Sequence, residues 1–201
     1  AKAEGEYIAF VESDDRIKSD YLEKKLKYFE KYPDTGFIYN DIETFGAECS
    51  IKRRMYFELI KGYWKKHNYP HNIGEILYIR NYIPTFSCVM LKKELFDDLN
   101  WDSPYMACID WWLWVQISQK TEFYFIPECL TLWRLHKDSY LNRSRKNCED
   151  KVMKFHSNLY NFLPPIKHLR NKFRFIIKQF MIFSKNKNVE IGNFKHLLKK
   201  G

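Results

Sequence analysis

Short runs of alternating apolar and polar residues open the chain, and the first run leads directly into acidic positions. Residues 6–11 (EYIAFV) follow Gly5 and predict a short buried strand. Glu12, Asp14 and Asp15 come directly after it. Because side chains alternate along an extended chain, Glu12 and Asp14 point the same way. Two carboxylates that project together repel each other, so the pattern favours a divalent cation with oxygen ligands.

A helical pattern follows the acidic residues and gives them a second interpretation. Apolar positions between 17 and 29 predict a helix over residues 17–32, ended by Pro33 and Gly36. Ser13, Asp14 or Asp15 could cap this helix, because short polar side chains and acids suit helix N-termini. The pattern alone leaves the cation site and the helix cap as alternatives.

Strand and helix patterns alternate along the rest of the chain, which predicts an α/β fold with a mixed sheet flanked by helices. The predicted strands are 37–39, 83–91 and 122–132, the last being one long strand or a pair. The predicted helices are 92–96, 107–119, 142–162 and 166–183. Asp41 is expected in a turn after the first of these strands. Residues 46–80 are basic and aromatic, which favours a solvated surface helix over an acceptor-facing insertion.

Composition narrows the classes of protein. A chain of 201 residues with 45% apolar residues has room for a core and excludes wholesale disorder. The formal net charge of +9 suits an anionic partner such as a nucleotide diphosphate, nucleic acid or acidic membrane. The 5 cysteines lack zinc-binding spacing and predict reduced thiols and a cytoplasmic location. No apolar run reaches the roughly 18 residues that a membrane span requires.

Four segments resemble a known family. Residues 3–15 (AEGEYIAFVESDD) resemble the segment A-x-G-E-Y-I-x-F-L-D-x-D-D of family 2 glycosyltransferases, which have the GT-A fold. In the same order, residues 85–95, 110–115 and 133–139 resemble the family's s-x-V-M-x-R-K-E-x-L, E-D-W-D-L-W-x-R and Y-R-x-H-x-x-S segments. The resemblance implies a partial GT-A domain over residues 1–140 that lacks the usual N-terminal nucleotide-binding half. Residues 141–201 would form a basic amphipathic helical extension.

The resemblance also implies the donor side of a site. Glu12, Asp14 and His136 would hold a divalent metal, Mn or Mg. Asp15 and Arg134 would join them in binding a nucleotide-sugar donor. Glu12 stands where the family has Asp, and its side chain is one methylene longer. Arg134 and His136 lie two residues apart, so they share a face if the strand continues through them.

The acceptor side rests on Asp110, which takes the position of the family's catalytic base. Ile109 and Trp112 replace two further acids of that segment, so one carboxylate remains. Apolar surroundings raise the pKa of a carboxyl and make it a stronger base. Placement at the start of a helix is the ordinary explanation for an aspartate at this position. The other residues expected on the acceptor side are Thr85, Ser87 and Trp111.

Taken with the resemblance, the sequence predicts an inverting, metal-dependent glycosyltransferase that acts on a glycan or lipid-linked acceptor in cell-surface polysaccharide synthesis. The alternative is a non-catalytic remnant or binding module of the same fold. A nucleic-acid-binding module is less favoured, because it has no need of acids clustered at a strand end. The basic, aromatic helix over 166–183 predicts peripheral contact with the inner face of the membrane, in preference to packing on the domain.

Overall fold

The computed structural model describes residues 3–46, 69–70, 72–77, 81–97, 99–101 and 108–136. The chain divides into two units, Ala1–Leu159 and Tyr160–Gly201, and every described residue lies in the first. The predicted helices at 142–162 and 166–183, the extension 141–201 and most of 46–80 lie outside the described residues. Within the described part, no helix combines the length and the apolar character needed to cross a membrane.

The described residues form a five-stranded mixed sheet with helices, which confirms the predicted α/β class. The strands are β1 Tyr7–Ala9, β2 Arg16–Ile17, β3 Thr35–Phe45, β4 Val89–Lys92 and β5 Glu122–Arg134. The helices are α1 Tyr21–Lys31, α2 Gly74–Leu77, α3 Glu94–Asp97 and α4 Ile109–Ile117. The strand order is β1-β4-β3-β5-β2. Only the β3–β5 pair among them is parallel, and β1–β4, β3–β4 and β2–β5 are antiparallel.

The first helix begins later than its apolar pattern indicates. The prediction of a helix from residue 17 was wrong, because Arg16 and Ile17 form β2 and pair with the end of β5. Helix α1 begins at Tyr21, and Asp20 occupies the N-cap position. Ser13, Asp14 and Asp15 are separated from α1 by β2, so none of them caps it. This excludes the helix-cap interpretation of the acidic residues.

The buried face of α1 contains a lysine. Tyr21, Lys25 and Phe29 lie four residues apart and are buried. The Lys25 amine donates to the Tyr21 hydroxyl at 2.9 Å and to the Cys88 carbonyl at 2.6 Å. Burial lowers the pKa of Lys25 well below its ordinary value. The second of these hydrogen bonds holds α1 against the turn at Cys88, which comes directly after Ser87.

Other segments also differ from their predictions. A 3₁₀ turn at Phe86–Cys88 interrupts the predicted strand 83–91, and Thr85 caps it by accepting from the Ser87 amide. The Asp41 turn prediction was wrong, because Asp41 lies inside β3 at a break in its register with β5. The 122–132 segment is one strand, extended to Arg134.

Helices cover both faces of the sheet with separate aromatic cores. On the α1 side, seven buried residues pack together: Tyr21, Phe29, Ile38, Met90, Tyr124, Ile126 and Leu130. On the opposite side, Phe37 stacks on Phe123 with ring centroids 3.9 Å apart and meets the edge of Trp114 at 5.0 Å. Because Phe37 and Ile38 are neighbours in β3, they point to opposite faces. Trp114 belongs to α4, so this second core positions the helix that carries Asp110.

Candidate active site

The acidic residues form a turn after β1 that meets the end of β5. The Asp15 amide donates to the Glu12 carbonyl at 3.1 Å, which closes the turn. Asp14 Oδ2 lies 2.8 Å from Nε2 of His136, a residue 122 positions away in the sequence. The two side chains keep 38% and 29% of their surface exposed, respectively. The fold therefore brings a carboxylate and an imidazole together where a ligand can reach both.

Asp15 attaches the acidic turn to the end of β5. Its Oδ1 accepts a hydrogen bond from the Arg134 backbone amide at 2.9 Å. Arg134 thus lies beside the acidic turn, and its contact there is made by its backbone amide. The side chain of Arg134 is exposed. The predicted role of its guanidinium group in donor binding stays a prediction.

The hydroxyl groups of Thr85 and Ser87 make hydrogen bonds to the acidic turn. The Thr85 hydroxyl donates to Glu12 Oε2 and lies 3.2 Å from Asp15 Oδ2. The Ser87 hydroxyl accepts from the Glu12 amide at 2.9 Å. Ser87 is fully buried and Thr85 is 4% exposed. The structure thus gives both hydroxyls a contact with the acidic turn, and their predicted contact with an acceptor stays untested.

The carboxyl group of Glu12 contacts Thr85 and lies near Asp110 of α4. The residue keeps exposed surface, but its carboxyl end lies against Thr85, and this partial burial raises the pKa of Glu12. The Thr85 hydrogen bond opposes the rise, and the charges of Asp15 and Asp14 add to it. Glu12 also raises the pKa of Asp110 by charge repulsion, so the two carboxyls are near enough to interact.

Asp110 lies in the first turn of α4, after Cys108 at the N-cap position. Its Oδ2 accepts a hydrogen bond from the Asn81 side-chain amide at 2.9 Å. Burial of the carboxyl raises the pKa of Asp110 to about 6, Glu12 adds to the rise, and hydrogen bonds from the Trp111 amide and Asn81 oppose it. A carboxyl with this pKa is ionised at neutral pH and still able to take up a proton.

Trp111, expected to face an acceptor, is 7% exposed. Its Nε1 donates to the Leu77 carbonyl at 2.6 Å, which fastens α4 to the end of α2. Trp112 donates from Nε1 to the Asn100 carbonyl at 2.9 Å, and Trp114 is fully buried. All three tryptophans therefore pack in the protein interior, and a role for Trp111 in stacking on a sugar stays a prediction.

The residues near Asp14 fit a divalent metal that is shared with a substrate. No three His, Cys, Asp or Glu side chains of the described ranges are arranged to hold a metal ion, so Glu12 does not complete a set with Asp14 and His136. Metals that serve phosphate chemistry take one or two carboxylates and complete their coordination with substrate phosphates and water. A carboxylate with an imidazole suits Mn²⁺ better than Mg²⁺, which prefers oxygen.

Gly46 directly follows β3 and lies close to the backbone of Leu135, the residue before His136. It has φ of +94°, and an added Cβ would lie 2.6 Å from the Leu135 carbonyl oxygen. Gly46→Ala should therefore lower the free energy of unfolding by about 1–3 kcal/mol, the usual cost of such a strained residue. Urea unfolding followed by circular dichroism measures the loss.

Gly5→Ala is the matched control for this prediction. An added Cβ at Gly5 meets its nearest atom, the Tyr7 carbonyl oxygen, at an ordinary 3.5 Å. We expect that variant to unfold close to the wild-type midpoint. Equal losses in the two variants would show that the positive φ and the Leu135 contact do not restrict position 46.

Two comparisons with known proteins bear on the class of this protein. A sequence model of the family described as Glycosyl transferase family 2 matches residues 1–99 of the 201. An uncharacterized glycosyltransferase of Methanocaldococcus jannaschii is 23% identical over 175 residues, which cover 86% of this chain and 54% of that protein. The chain thus spans about half the length of this curated relative.

The first 99 residues are thus similar to family 2 glycosyltransferases, and most of the chain is similar to a protein that is named as a glycosyltransferase. The curled mixed sheet, with helices on both faces, is consistent with the GT-A-like fold expected of that class. The comparisons do not confirm the expected loss of an N-terminal half.

Sequence reasoning missed Asn81 and the buried polar residues beneath the acidic turn. The sequence gives only a weak indication for Asn81, because any asparagine can accept a hydrogen bond from the backbone amide two residues later. Thr131 donates to the Ser87 carbonyl at 3.1 Å and accepts from the Asn40 side chain at 3.1 Å. No spacing in the sequence connects these residues, because each contact joins separate elements of the sheet.

Proposed function

We propose that this chain is a metal-dependent glycosyltransferase that moves a sugar from a nucleotide-sugar donor to a hydroxyl of a glycan or lipid-linked acceptor, with inversion. The contact between Asp14 and His136 carries the proposal, because it joins two segments that resemble donor-binding segments of family 2 enzymes. Asp110 supports it, since its carboxyl lies near enough to Glu12 of the acidic turn for the charge of Glu12 to raise the pKa of Asp110.

Asp110 acts as the general base in this proposal. Its carboxylate takes the proton of the acceptor hydroxyl while that oxygen forms a bond to the anomeric carbon. The bond between the anomeric carbon and the diphosphate oxygen breaks in the same step, and the nucleoside diphosphate leaves. One displacement from the opposite face inverts the configuration of the anomeric carbon. The pKa of about 6 leaves Asp110 ionised before the step and a good acceptor of the proton during it.

Asp14 and His136 hold the donor side in this proposal, through a divalent metal. When bound, that metal neutralises the negative charge of the diphosphate leaving group. Asp15 keeps the end of β5 against the acidic turn, so that His136 stays beside Asp14. In the same proposal, the exposed guanidinium group of Arg134 adds a charge-assisted contact to phosphate.

Calorimetry with Mn²⁺ and UDP or GDP tests the donor site. Wild-type protein should bind a nucleoside diphosphate in the presence of Mn²⁺ and much more weakly in the presence of a chelator. Asp14→Ala and His136→Ala should each weaken this binding by at least about tenfold, the usual effect of altering a metal site. Asp97→Ala is the matched control, since Asp97 is exposed on α3 and makes none of the contacts described for the acidic turn.

Two results would contradict the proposal. If Asp14→Ala and His136→Ala bind as the wild type does, the donor site lies elsewhere in the protein. If folded wild-type protein binds neither UDP nor GDP with Mn²⁺ or Mg²⁺, this chain does not work as a transferase by itself. The second result would favour a non-catalytic module of the same fold, which the replacements at Ile109 and Trp112 also suit.

The cellular setting belongs to the same proposal. A lipid-linked acceptor in polysaccharide synthesis would place the protein in the cytoplasm, at the inner face of the membrane. The net charge of +9 supports this, because anionic headgroups attract basic proteins. Residues 166–183 are the proposed membrane contact.

A further inference from the structure

The side-chain amide of Asn81 donates to Asp110, which lies 29 residues further along the sequence. A second hydrogen bond, from the Ile83 backbone amide, determines the orientation of that side chain. Asn81 Oδ1 accepts from the Ile83 backbone amide at 3.0 Å, and Asn81 Nδ2 donates to Asp110 Oδ2 at 2.9 Å. An amide oxygen cannot donate and an amide nitrogen cannot accept, so the Ile83 contact dictates which end of the side chain faces Asp110. The carboxylate of Asp110 therefore meets a fixed donor.

The segment that carries Asn81 also carries the support of the acidic turn. Four residues beyond Asn81, Thr85 donates to Glu12 and lies beside Asp15. Trp111, the residue after Asp110 in α4, donates from its indole nitrogen to the Leu77 carbonyl. Residues 81–85 thus contact both the Asp110 carboxyl and the acidic turn.

We infer that Asn81 is a positioning residue for Asp110: its side-chain amide fixes the orientation of the carboxylate and stabilises its ionised form. The catalytic meaning of this role rests on the proposed function of Asp110 as the base. Burial and the nearby charge of Glu12 both disfavour ionised Asp110, and Glu12 is the titratable group that acts on it within the described residues. A hydrogen bond donated to the ionised form opposes both effects.

Carbon-13 NMR of the Asp110 carboxyl, assigned with the Asp110→Asn variant, tests the inference without a substrate. Asn81→Ala should move the titration midpoint of Asp110 upward by about one pH unit, as expected for the loss of a hydrogen bond to a charged group. Asn81→Asp should move it further upward, since a like charge replaces the donor. This second variant keeps an oxygen for the Ile83 amide, so it retains the local turn.

Asn72 provides a matched control. Its Oδ1 accepts from the Gly74 amide at 2.7 Å, two residues on, as Asn81 does from Ile83. Asn72→Ala and Asn72→Asp should leave the Asp110 midpoint unchanged. A purely structural role for Asn81 predicts the opposite pattern, in which Asn81→Asp behaves as the wild type and Asn81→Ala differs only in stability.

The wild-type protein supplies a further measurement in case a variant fails to fold. The Asn81 side-chain amide, observed by nitrogen-15 NMR, should titrate with the same midpoint as the Asp110 carboxyl. Separate midpoints, or an Asp110 midpoint that neither Asn81 variant changes, would overturn the inference. Where transfer activity is found, the acidic limb of the pH profile of kcat should shift upward in Asn81→Ala. Absence of activity would contradict the proposed function and leave the NMR result on Asn81 standing.

Discussion

Asp110→Asn should lower the rate of sugar transfer by about 10²–10⁴-fold, the usual contribution of a general base, and leave Mn²⁺-dependent binding of UDP or GDP unchanged. Asparagine keeps the shape of the side chain and can still accept from Asn81, but it cannot take a proton from the acceptor. Steady-state transfer assays and calorimetry on the same preparations measure the two effects separately.

The pH dependence of the wild-type rate gives a second readout of Asp110. A base works in its ionised form, and burial raises the pKa of Asp110 to about 6. The rate should therefore rise with pH through about 6 and level off above it. Because the pKa of Asp110 is higher in the folded than in the unfolded state, its contribution to the free energy of unfolding falls as pH rises from about 4 to 6. Asp110→Asn should accordingly be no less stable than the wild type at neutral pH.

Asp97→Asn serves as the control, because that aspartate is exposed on α3. We expect it to retain the wild-type rate and pH profile. Transfer by Asp110→Asn at more than a tenth of the wild-type rate would exclude Asp110 as the base. Loss of diphosphate binding in that variant would mean instead that Asp110 belongs to the donor site.

Trp114→Ala should lower the free energy of unfolding by about 3–5 kcal/mol, the range for removing a fully buried tryptophan. Trp114 is 0% exposed. Its ring meets the edges or faces of Phe37 at 5.0 Å, Phe86 at 5.1 Å and Phe10 at 6.3 Å. These contacts join α4 to β3, to the 3₁₀ turn and to the chain entering the acidic turn. Urea unfolding measures the loss, and weaker metal-dependent diphosphate binding should accompany it.

Trp101→Ala is the matched control, since Trp101 is 43% exposed and packs mainly on Phe96. Its loss should be much smaller. Trp114→Phe should fall between the two, because it keeps a ring and removes an indole N–H that has no hydrogen-bond partner among the described residues. Similar midpoints for Trp114→Ala and Trp101→Ala would show that the core around α4 does not determine stability.

Packing accounts for one of the departures from the family's sequence pattern. Trp112 stands where the resembled segment has an acid, and here it is 8% exposed and bonded to the Asn100 carbonyl. An ionised carboxylate at such a buried position would lose its hydration. Glu12, one methylene longer than the family's Asp, reaches the Thr85 hydroxyl. Asp110 is therefore the carboxylate that remains in its segment, and its role as the base belongs to the proposed function.

Strand and helix patterns predicted the existence of most elements better than their bounds. The alternation in residues 6–11 and the apolar runs around 37–39 and 122–132 identified β1, β3 and β5. The start of α1 was misplaced because Ile17 fits a helical period and a strand equally well, and only its pairing with Thr131 decides between them. Lys25 occupies a buried position of α1 because carbonyl and hydroxyl partners from distant elements receive its amine.

By itself the sequence determined the α/β class, the place of the acidic turn after β1 and the presence of Asp110 at the start of a helix, because these depend on local periodicity and residue type. Only the tertiary structure decided which groups meet. The Asp14–His136 contact, the Thr85 hydroxyl against Glu12 and the Asn81 amide on Asp110 each join residues that are 29 to 122 positions apart. Such contacts follow from strand order and from the packing of α4 on the sheet, which no local pattern specifies.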